Sequence, residues 1–320
     1  MTQSPGTREV RFVSIPEGLH QERVDAALSR LLGLSRSTVV TLIENGEITR
    51  RGKALTKSDR VNTDDYLEIT MPAAATEPVL TATPIADFKV VYDDSDVIVV
   101  DKPAGVAAHP SPGWRGPTVI GGVIAAGYQV STSGAAERQG VVHRLDVGTT
   151  GLMVIAKNEN SYSNLKQQFR DRTVTKVYHA LAQGHMDPTE GTIDAPIDRH
   201  PREDYRFAVV ADGKPSITHY KALEFFPAVS LLEIELETGR THQIRVHFSA
   251  LRHPLVGDMT YGADHTIAER LEITRPWLHA RELKFIHPAS GAEIAFFSDY
   301  PADLTRSLEL LANSQTSQPQ

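Results

Sequence analysis

One short loop of the sequence holds a histidine, an arginine and an aspartate, namely His143, Arg144 and Asp146. The apolar run 152–156 follows closely and predicts a buried strand, so the loop sits at the end of a rigid element. An ionised aspartate in such a loop is able to act as a nucleophile or as a general base. An aspartate beside an arginine is also a common structural ion pair, and the residues alone leave both interpretations open.

A second candidate lies in the run 172–180, which predicts a strand that follows an amphipathic helix. Alternation along a strand places Lys176 and Tyr178 on the same face, together with Val174 and Ala180. The phenol and the ammonium group are therefore expected to face one pocket. Simple packing of the tyrosine in the core is the alternative interpretation.

A third candidate lies in the run 238–248, where Thr241 is the predicted N-cap of a helix. The predicted buried stripe of that helix consists of Ile244, His247, Phe248 and Leu251. His242 and Arg245 lie three residues apart on a different face, and from there Arg245 can project into a site at the end of the preceding strand. The histidines do not have His-Glu-x-x-His spacing, so we expect no metal site.

The elements that must position these loops predict an α+β fold. Residues 85–312 mix strands and helices without regular alternation, beginning with a hairpin around 93–96. The run 231–237 alternates leucine and isoleucine with glutamate, which is typical of a half-exposed strand. This pattern favours a mainly antiparallel sheet. No Gly-x-Gly-x-x-Gly motif or phosphate-binding P-loop occurs, so the sequence does not indicate a nucleotide cofactor.

A smaller domain, partly helical and partly β, is predicted at residues 11–71. Apolar spacing at 24–32 predicts a helix that ends at Gly33, and a second helix follows it. Short strands are predicted on either side of a basic turn, which consists of Arg50, Arg51, Gly52 and Lys53.

Three segments are predicted to lie outside the two domains. The Ala/Thr/Pro-rich stretch 72–84 lacks helical or strand periodicity and is predicted to be an extended linker between the domains. Residues 1–10 and 313–320 are polar, and we predict that they form disordered tails.

Residues 11–70 resemble an S4 domain, a small RNA-binding module. Besides the helical pair, the resemblance rests on the runs Ile43-Glu44-Asn45-Gly46-Glu47-Ile48, Gly52-Lys53 and Val61-Asn62-Thr63-Asp64-Asp65-Tyr66-Leu67-Glu68-Ile69. Asp64 departs from the family pattern, which usually has glycine at that position. The resemblance implies that Arg50, Arg51 and Lys53 contact RNA.

The three candidate loops, in this order and spacing, resemble the RluA family of pseudouridine synthases. The S4-like segment makes the chain similar to the RluC/RluD-type members, and the resemblance spans residues 11–300. The runs that carry it are Asp101-Lys102-Pro103-Ala104-Gly105, His109-Pro110, His143-Arg144-Leu145-Asp146, Thr149-Thr150-Gly151, Gly239-Arg240-Thr241-His242-Gln243-Ile244-Arg245-Val246-His247 and Gly257-Asp258-x-x-Tyr261-Gly262. Many members have serine where this chain has Thr150, and the hydroxyl is retained.

The resemblance implies that the protein isomerises uridine in RNA to pseudouridine, exchanging the N1–C1′ bond for a C5–C1′ bond without a cofactor or a metal. Residue by residue, it implies that Asp146 is the nucleophile and that Arg245 pairs with its carboxylate. It also implies that Tyr178 lies against the target base, where it either stacks or takes part in proton removal from C5. Arg144 would fill the space left when the base flips out, because the reacting atoms are inaccessible in a stacked nucleotide.

The composition limits the remaining classes of function. Lys and Arg number 33 and Asp and Glu 40, a net charge of −7, which excludes a polybasic scaffold but not a local RNA site. The absence of cysteine excludes disulfides and thiolate chemistry. Since no membrane span or signal peptide is predicted, we expect a cytoplasmic protein. The basic residues of the larger domain expected to bind RNA are Arg144, Lys166, Arg170 and Arg172.

By analogy with the S4-bearing members, we expect 23S-type ribosomal RNA or a ribosomal precursor particle as the substrate, with no protein partner and no membrane contact. A tRNA-directed pseudouridine synthase and a non-catalytic RNA-binding ribosome-assembly factor are the alternatives. A hydrolase that uses Asp146 would need a second carboxylate or base. Asp258 is the candidate, although its Gly-Asp-x-x-Tyr-Gly setting fits a structural turn better.

Overall fold

The computed structural model describes residues 9–34, 36–71, 80–86, 88–111, 114–135, 138–203 and 205–316. The chain divides into two compact units, Met1–Glu77 and Pro78–Gln320, and the division falls inside the predicted linker. None of the described helices is both long enough and apolar enough to cross a membrane.

The smaller unit packs two helices against a four-stranded antiparallel sheet. Its elements are β1 (Val10–Ser14), α1 (Val24–Leu32), α2 (Arg36–Glu44), β2 (Ile48–Arg50), β3 (Lys53–Ala54) and β4 (Tyr66–Thr70). The strand order is β1-β4-β2-β3. As the sequence predicts, α1 ends at Gly33, whose left-handed backbone has a φ of 67°. Aliphatic side chains from both helices and from the sheet form the core.

The basic turn of the smaller unit connects β2 to β3. Arg51 and Gly52 have positive φ angles of 53° and 75°, as a two-residue hairpin turn requires. Arg50 lies beside this turn, and its Nη1 donates to Asp65 Oδ2 at 2.7 Å. The charge of Arg50 is therefore compensated within the unit, whereas Arg51 and Lys53 are exposed.

The larger unit is built on one nine-stranded sheet with helices around it. Its elements are β5 (Lys89–Asp93), β6 (Val97–Lys102), α3 (Val119–Ala125), β7 (Thr150–Ala156), α4 (Glu159–Asp171), β8 (Thr175–Gln183), β9 (Glu190–Asp194), β10 (Ile197–Arg199), β11 (Phe207–Val209), β12 (Ile217–Phe226), β13 (Val229–Leu236), α5 (Gln243–Ala250), α6 (His265–Arg270), β14 (Leu278–Ile286), β15 (Glu293–Phe297) and α7 (Ala302–Thr316). The order is β5-β6-β7-β14-β8-β13-β12-β9, and β15 pairs with β14. β10 and β11 form a separate hairpin.

The pairing confirms the α+β, mainly antiparallel prediction. β7 and β14 are the only parallel neighbours among the described strands. β7 is buried at every residue, because one face packs into the main core through Met153 and the other into a second cluster through Val154. The loop that precedes β7 is therefore attached to a fully buried strand of the sheet. β13 alternates as predicted, with Leu232 buried and Glu233 exposed.

The amino-terminal tail and the linker are shorter than the sequence predicts. Val10, placed in the tail, opens β1 because its backbone pairs with β4. Within the predicted linker, the Thr83 N–H donates to the Gly121 carbonyl at 3.1 Å, which fixes that part of the chain against α3. The rest of both predicted segments, residues 1–8 and 72–79, lies outside the described residues.

The carboxyl-terminal tail is also shorter than predicted, because α7 extends to Thr316. The Ser314 hydroxyl donates to the Leu310 carbonyl at 2.7 Å, one turn earlier. Once a helix exists, each further residue adds a backbone hydrogen bond, so polar residues can extend it past its last apolar contact. Residues 317–320 lie outside the described residues.

Gly151 permits the close approach of β7 to β14. Its φ is 110°, and a Cβ placed there would lie 2.2 Å from the Ala280 carbonyl oxygen. Ala280 is its partner across the parallel pair, so this oxygen belongs to backbone that cannot turn aside. Only glycine fits at this position.

We expect Gly151→Ala to lower the free energy of unfolding by about 3 kcal/mol or more, since the clash adds to the roughly 1–3 kcal/mol cost of a strained backbone. Gly127→Ala is the matched control, because Gly127 also has a positive φ, of 87°, but a Cβ there meets nothing within 4 Å. Urea unfolding measures both variants. Equal losses would contradict the steric argument.

Candidate active site

The larger unit has a cavity of about 810 Å³ that is open to solvent. Its walls come from the loop before β7, from α4 and β8, and from the end of β13 with the start of α5. These are the three stretches that the sequence singles out, and Asp146, Tyr178 and Arg245 all reach the cavity. Its charged lining is mostly cationic, which suits a polyanionic ligand.

The loop that carries Asp146 is held by its backbone. The Val147 carbonyl accepts a hydrogen bond from Lys102 Nζ at 3.2 Å. The Gly148 carbonyl accepts one from Arg275 Nη1 at 2.9 Å. Lys102 comes from β6 and Arg275 precedes β14, so the loop is tied to the strands on both sides of β7. This arrangement preorganises the carboxylate of Asp146.

Lys102 is fully buried and lies among carbonyl oxygens. Its Nζ donates to Pro103 at 3.0 Å, Val106 at 2.8 Å and Val147 at 3.2 Å. Burial lowers the pKa of Lys102 to about 7, while the negative charge of Asp146 acts in the opposite direction. The sequence places Lys102 in a family motif without a role, and the structure shows that it fixes the loop.

His143 is a structural histidine. Burial, aided by the charge of Lys176, lowers the pKa of His143 to about 3, so the ring is neutral. Its Nε2 accepts a hydrogen bond from the Val154 N–H at 3.0 Å, which leaves the proton on Nδ1. The ring also stacks on Phe169 of α4, with centroids 4.7 Å apart. His143 therefore fastens the loop to β7 and α4.

Arg245 bridges two carboxylates. Its Nε and Nη2 donate to the two oxygens of Asp258 at 2.7 and 2.9 Å, and its Nη1 donates to Asp146 Oδ2 at 3.3 Å. Burial disfavours the charged guanidinium, but the hydrogen bonds and charges of Asp258 and Asp146 raise the pKa of Arg245. The pairing of Arg245 with Asp146 agrees with the sequence prediction. The stronger, bidentate contact to Asp258 was not predicted.

Asp258 cannot act as the second carboxylate of a hydrolase. It is 1% exposed, and both of its oxygens accept from Arg245. The prediction that it belongs to a structural turn is therefore incomplete, because Asp258 also holds the arginine that faces Asp146. The Gly257-Asp258-x-x-Tyr261-Gly262 run was the available signal, since Tyr261 lies with its ring 4.9 Å from the same guanidinium.

Tyr178 and Lys176 point into the cavity from β8, as the strand alternation predicts. Burial, with the nearby charge of Asp146, raises the pKa of Tyr178 well above its ordinary value. The phenol therefore keeps its proton near neutral pH. Burial and the charge of Arg172 lower the pKa of Lys176 to about 8, against the attraction of Glu235.

The four basic residues predicted for RNA binding in this unit all line the cavity: Arg144, Lys166, Arg170 and Arg172. Arg172 also donates to Glu237 Oε2 at 3.4 Å. Sequence reasoning missed two further cations of the lining, Arg138 and Arg240, since neither stands out in composition.

The start of α5 differs from the prediction. Thr241 is not its N-cap; His242 occupies that position with a left-handed backbone (φ 58°, ψ 20°) and caps no backbone N–H with its side chain. The predicted buried stripe is correct for Ile244, His247 and Phe248, but Leu251 is 41% exposed because the helix has ended at Ala250.

One group of side chains away from the cavity, Asp94, Asp96 and His287, has the donor atoms and spacing of a metal site. Its oxygens already accept hydrogen bonds, however. Asp94 accepts from Tyr92, from His287 and from two backbone N–H groups. Asp96 Oδ1 accepts from Asn158 and Ser161. These bonds account for the cluster as a turn-stabilising network, so we assign it no metal.

Known proteins match the part of the chain that holds this cavity. Residues 96–250 match the family model described as RNA pseudouridylate synthase. An uncharacterized RNA pseudouridine synthase of Mycobacterium tuberculosis is 53% identical over 94% of this chain and 98% of its own length. The chain belongs to the RNA pseudouridine synthase family, and its activity is that of an isomerase.

Two further proteins define the group within that family. Ribosomal large subunit pseudouridine synthase D of Pseudomonas aeruginosa is 37% identical over 94% of this chain and 95% of its own length. The solved human RNA pseudouridylate synthase domain containing 1 is 26% identical, with a TM-score of 0.55, and the match covers 78% of this chain and 99% of that one. These matches confirm the RluD-type resemblance and the fold class. The S4 resemblance of the smaller unit stays a prediction.

We expect Lys102→Met to lower the free energy of unfolding by about 2 kcal/mol or more, because the Pro103 and Val106 carbonyls lose this donor at roughly 1–3 kcal/mol each, while the Val147 carbonyl keeps only the Gly105 N–H. Pseudouridine formation should fall with it as the loop loses its anchor. Lys221→Met, on the exposed side of β12, is the control and should change stability little. Urea unfolding followed by an activity assay makes the comparison, and an unchanged unfolding midpoint would contradict the anchoring role.

Proposed function

We propose that this pseudouridine synthase modifies specific uridines of large-subunit ribosomal RNA, with Asp146 as the nucleophile. The observation that carries the proposal is the carboxylate of Asp146 at the cavity wall, hydrogen-bonded to Arg245 and close to Tyr178. The ribosomal substrate is supported by the relatives named ribosomal large subunit pseudouridine synthase D. A ribosomal RNA substrate would also locate the activity in the cytoplasm.

The proposed reaction conserves all the atoms of the uridine. The N1–C1′ bond breaks, the uracil turns, the C5–C1′ bond forms, the C5 proton leaves and N1 gains a proton. Asp146 supplies the carboxylate, and Arg245 Nη1 donates a hydrogen bond to its Oδ2 at 3.3 Å. Because no other described carboxylate with a free oxygen faces the cavity near Arg245, Asp146 is our choice of nucleophile.

Tyr178 is proposed to stack on the flipped uracil. Its raised pKa argues against a phenolate that takes the C5 proton, since a base must be deprotonated near the working pH. Its place in the cavity lining beside Asp146 suits contact with the face of a base, and base–aromatic stacking is worth roughly 1–3 kcal/mol.

RNA is proposed to enter along the cationic lining. Arg144 is exposed at the rim next to Asp146, and we assign it the space that the flipped base vacates. Lys166 and Arg170 lie on α4, Arg172 directly follows its end, and all three would contact phosphates. In the smaller unit, Arg51 and Lys53 are the proposed S4-type RNA contacts, whereas Arg50 has a carboxylate partner already.

The substitution Asp146→Asn is expected to abolish tritium release from RNA labelled at C5 of uridine, because the amide is not a nucleophile. Asp212→Asn, at an exposed turn, is the matched control and should leave release unchanged. Unmodified ribosomal RNA and unmodified tRNA are assayed separately. Release from tRNA alone would replace the proposed substrate, and RNA binding without release from either RNA or ribosomal particles would favour the assembly-factor alternative.

RNA affinity is expected to fall steeply with added salt, and Lys166→Gln and Arg170→Gln should each flatten the log–log slope by roughly 0.7–0.9 per lost phosphate contact. Arg306→Gln on α7 is the control, since Arg306 lies outside the cavity lining and pairs with Glu272. Filter binding over a salt series gives the slopes. If Lys166→Gln and Arg170→Gln kept the native slope, as Arg306→Gln should, the assignment of α4 to phosphate contacts would be wrong.

A further inference from the structure

The ring of His242 lies beside Asp146 without a role in the reaction described above. His242 Nε2 is 3.9 Å from Asp146 Oδ2, the oxygen that also accepts from Arg245. On the other side of the ring, Nδ1 lies 2.8 Å from the hydroxyl of Tyr261. The backbone N–H of Phe207, at the start of β11, donates to that hydroxyl at 3.1 Å.

The hydrogen bonds around the Tyr261 hydroxyl show to which atom it donates its proton. The hydroxyl oxygen accepts from Phe207, and the only other hydrogen-bond partner that the described part of the chain offers it is His242 Nδ1. Burial raises the pKa of Tyr261, so the phenol keeps its proton and needs an acceptor for it. The Tyr261 O–H therefore donates to Nδ1.

The imidazole of His242 carries its proton on the nitrogen that does not accept from Tyr261. Burial lowers the pKa of His242, Asp146 acts against this effect and Arg245 adds to it, so the ring is neutral near neutral pH. A neutral ring that accepts at Nδ1 carries its proton on Nε2. The N–H therefore points to the Asp146 side of the ring.

The fold holds the His242 ring in place although the backbone of His242 adopts a conformation that is unfavourable for a non-glycine residue. His242 has a φ of 58° and a ψ of 20°, a left-handed conformation that non-glycine residues seldom adopt. Its ring is clamped edge to face between Phe207, at 5.8 Å, and Tyr261, at 5.6 Å. At His242 this backbone sets the direction in which the ring leaves the start of α5, between its two aromatic neighbours.

We propose that His242 is a positioning residue that donates its Nε2–H to Oδ2 of Asp146 when RNA closes the site. This inference rests on the proposed role of Asp146 as nucleophile. Arg245 and His242 then both hold Oδ2, while Oδ1 has no hydrogen-bond partner among the described residues. Oδ1 is the oxygen presented to the substrate. The 3.9 Å separation closes by about 1 Å to reach an ordinary hydrogen bond, as contacts in unliganded sites commonly do.

The tautomer is tested first, in the full-length protein without RNA, by ¹⁵N NMR of labelled histidine side chains near neutral pH. We expect a protonated Nε2 and a hydrogen-bonded, unprotonated Nδ1 for His242, with its signals identified by their loss in His242→Gln. Tyr261→Phe should shift the Nδ1 signal. Tyr300→Phe is the matched control, because Tyr300 pairs with His179 and should leave His242 unchanged. A proton on Nδ1 would overturn the proposal.

Single-turnover kinetics test the function of the contact. His242→Ala should lower the rate of pseudouridine formation about tenfold to a hundredfold, with RNA affinity within about threefold of native, as for a lost charge-assisted hydrogen bond. His242→Gln, which keeps an N–H donor, should recover much of the rate. Tyr261→Phe should slow the native enzyme but have little further effect in the His242→Ala background, since one residue acts through the other.

Several outcomes contradict the proposal: a native rate in His242→Ala, no recovery in His242→Gln, or equal and additive effects of Tyr261→Phe in both backgrounds. Thermal unfolding of each variant separates these outcomes from loss of the fold. If the native protein modifies no RNA, the proposed function fails, and the NMR experiment still decides the tautomer independently.

Discussion

The buried guanidinium of Arg245 is the constraint around which the cavity of the larger unit is arranged. Removing a charge from water costs several kcal/mol, and only close, well-oriented partners offset that cost. Asp258 supplies two of these contacts and Asp146 the third. Deleting one partner of such a cluster typically costs roughly 3–5 kcal/mol, so stability and the proposed activity would depend on the same three side chains.

The sheet provides the rigidity that this cluster requires. β7 is buried along its length and approaches β14 through Gly151, so the start of the strand cannot shift relative to its neighbours. The loop before it is tied by Lys102 and Arg275 from opposite sides. Asp146 therefore extends from a fixed backbone, whereas the cations that line the cavity lie on long, partly exposed side chains that can adapt to an RNA strand.

The sequence predicted those site residues whose positions follow from a strand end or from the short repeat of a strand or a helix. Asp146, Tyr178 and Arg245 converge because each is placed by a buried strand or an amphipathic helix. The role of Asp258 was missed because a Gly-Asp pair is already explained by a turn. Its partner Arg245 lies on another element, and the contact exists only in the folded chain. The parallel β7–β14 pair, which brings Thr150 to His279, joins residues too distant for local patterns to predict. The left-handed backbone of His242 opposes its own intrinsic preference.

The bidentate contact between Arg245 and Asp258 has a consequence for the electrostatics of turnover. One guanidinium and two ionised carboxylates give the cluster a net charge of −1 before the reaction. In the proposed reaction with Asp146 as nucleophile, a bond from its oxygen to the substrate would make that carboxylate a neutral ester, the cluster would become electroneutral, and the negative charge would pass to the uracil. The two hydrogen bonds from Arg245 to Asp258 do not involve Asp146, so the guanidinium would keep a charged partner in that intermediate. Under the proposed mechanism, Asp258 would be the counter-ion that Arg245 retains while Asp146 gives up its charge.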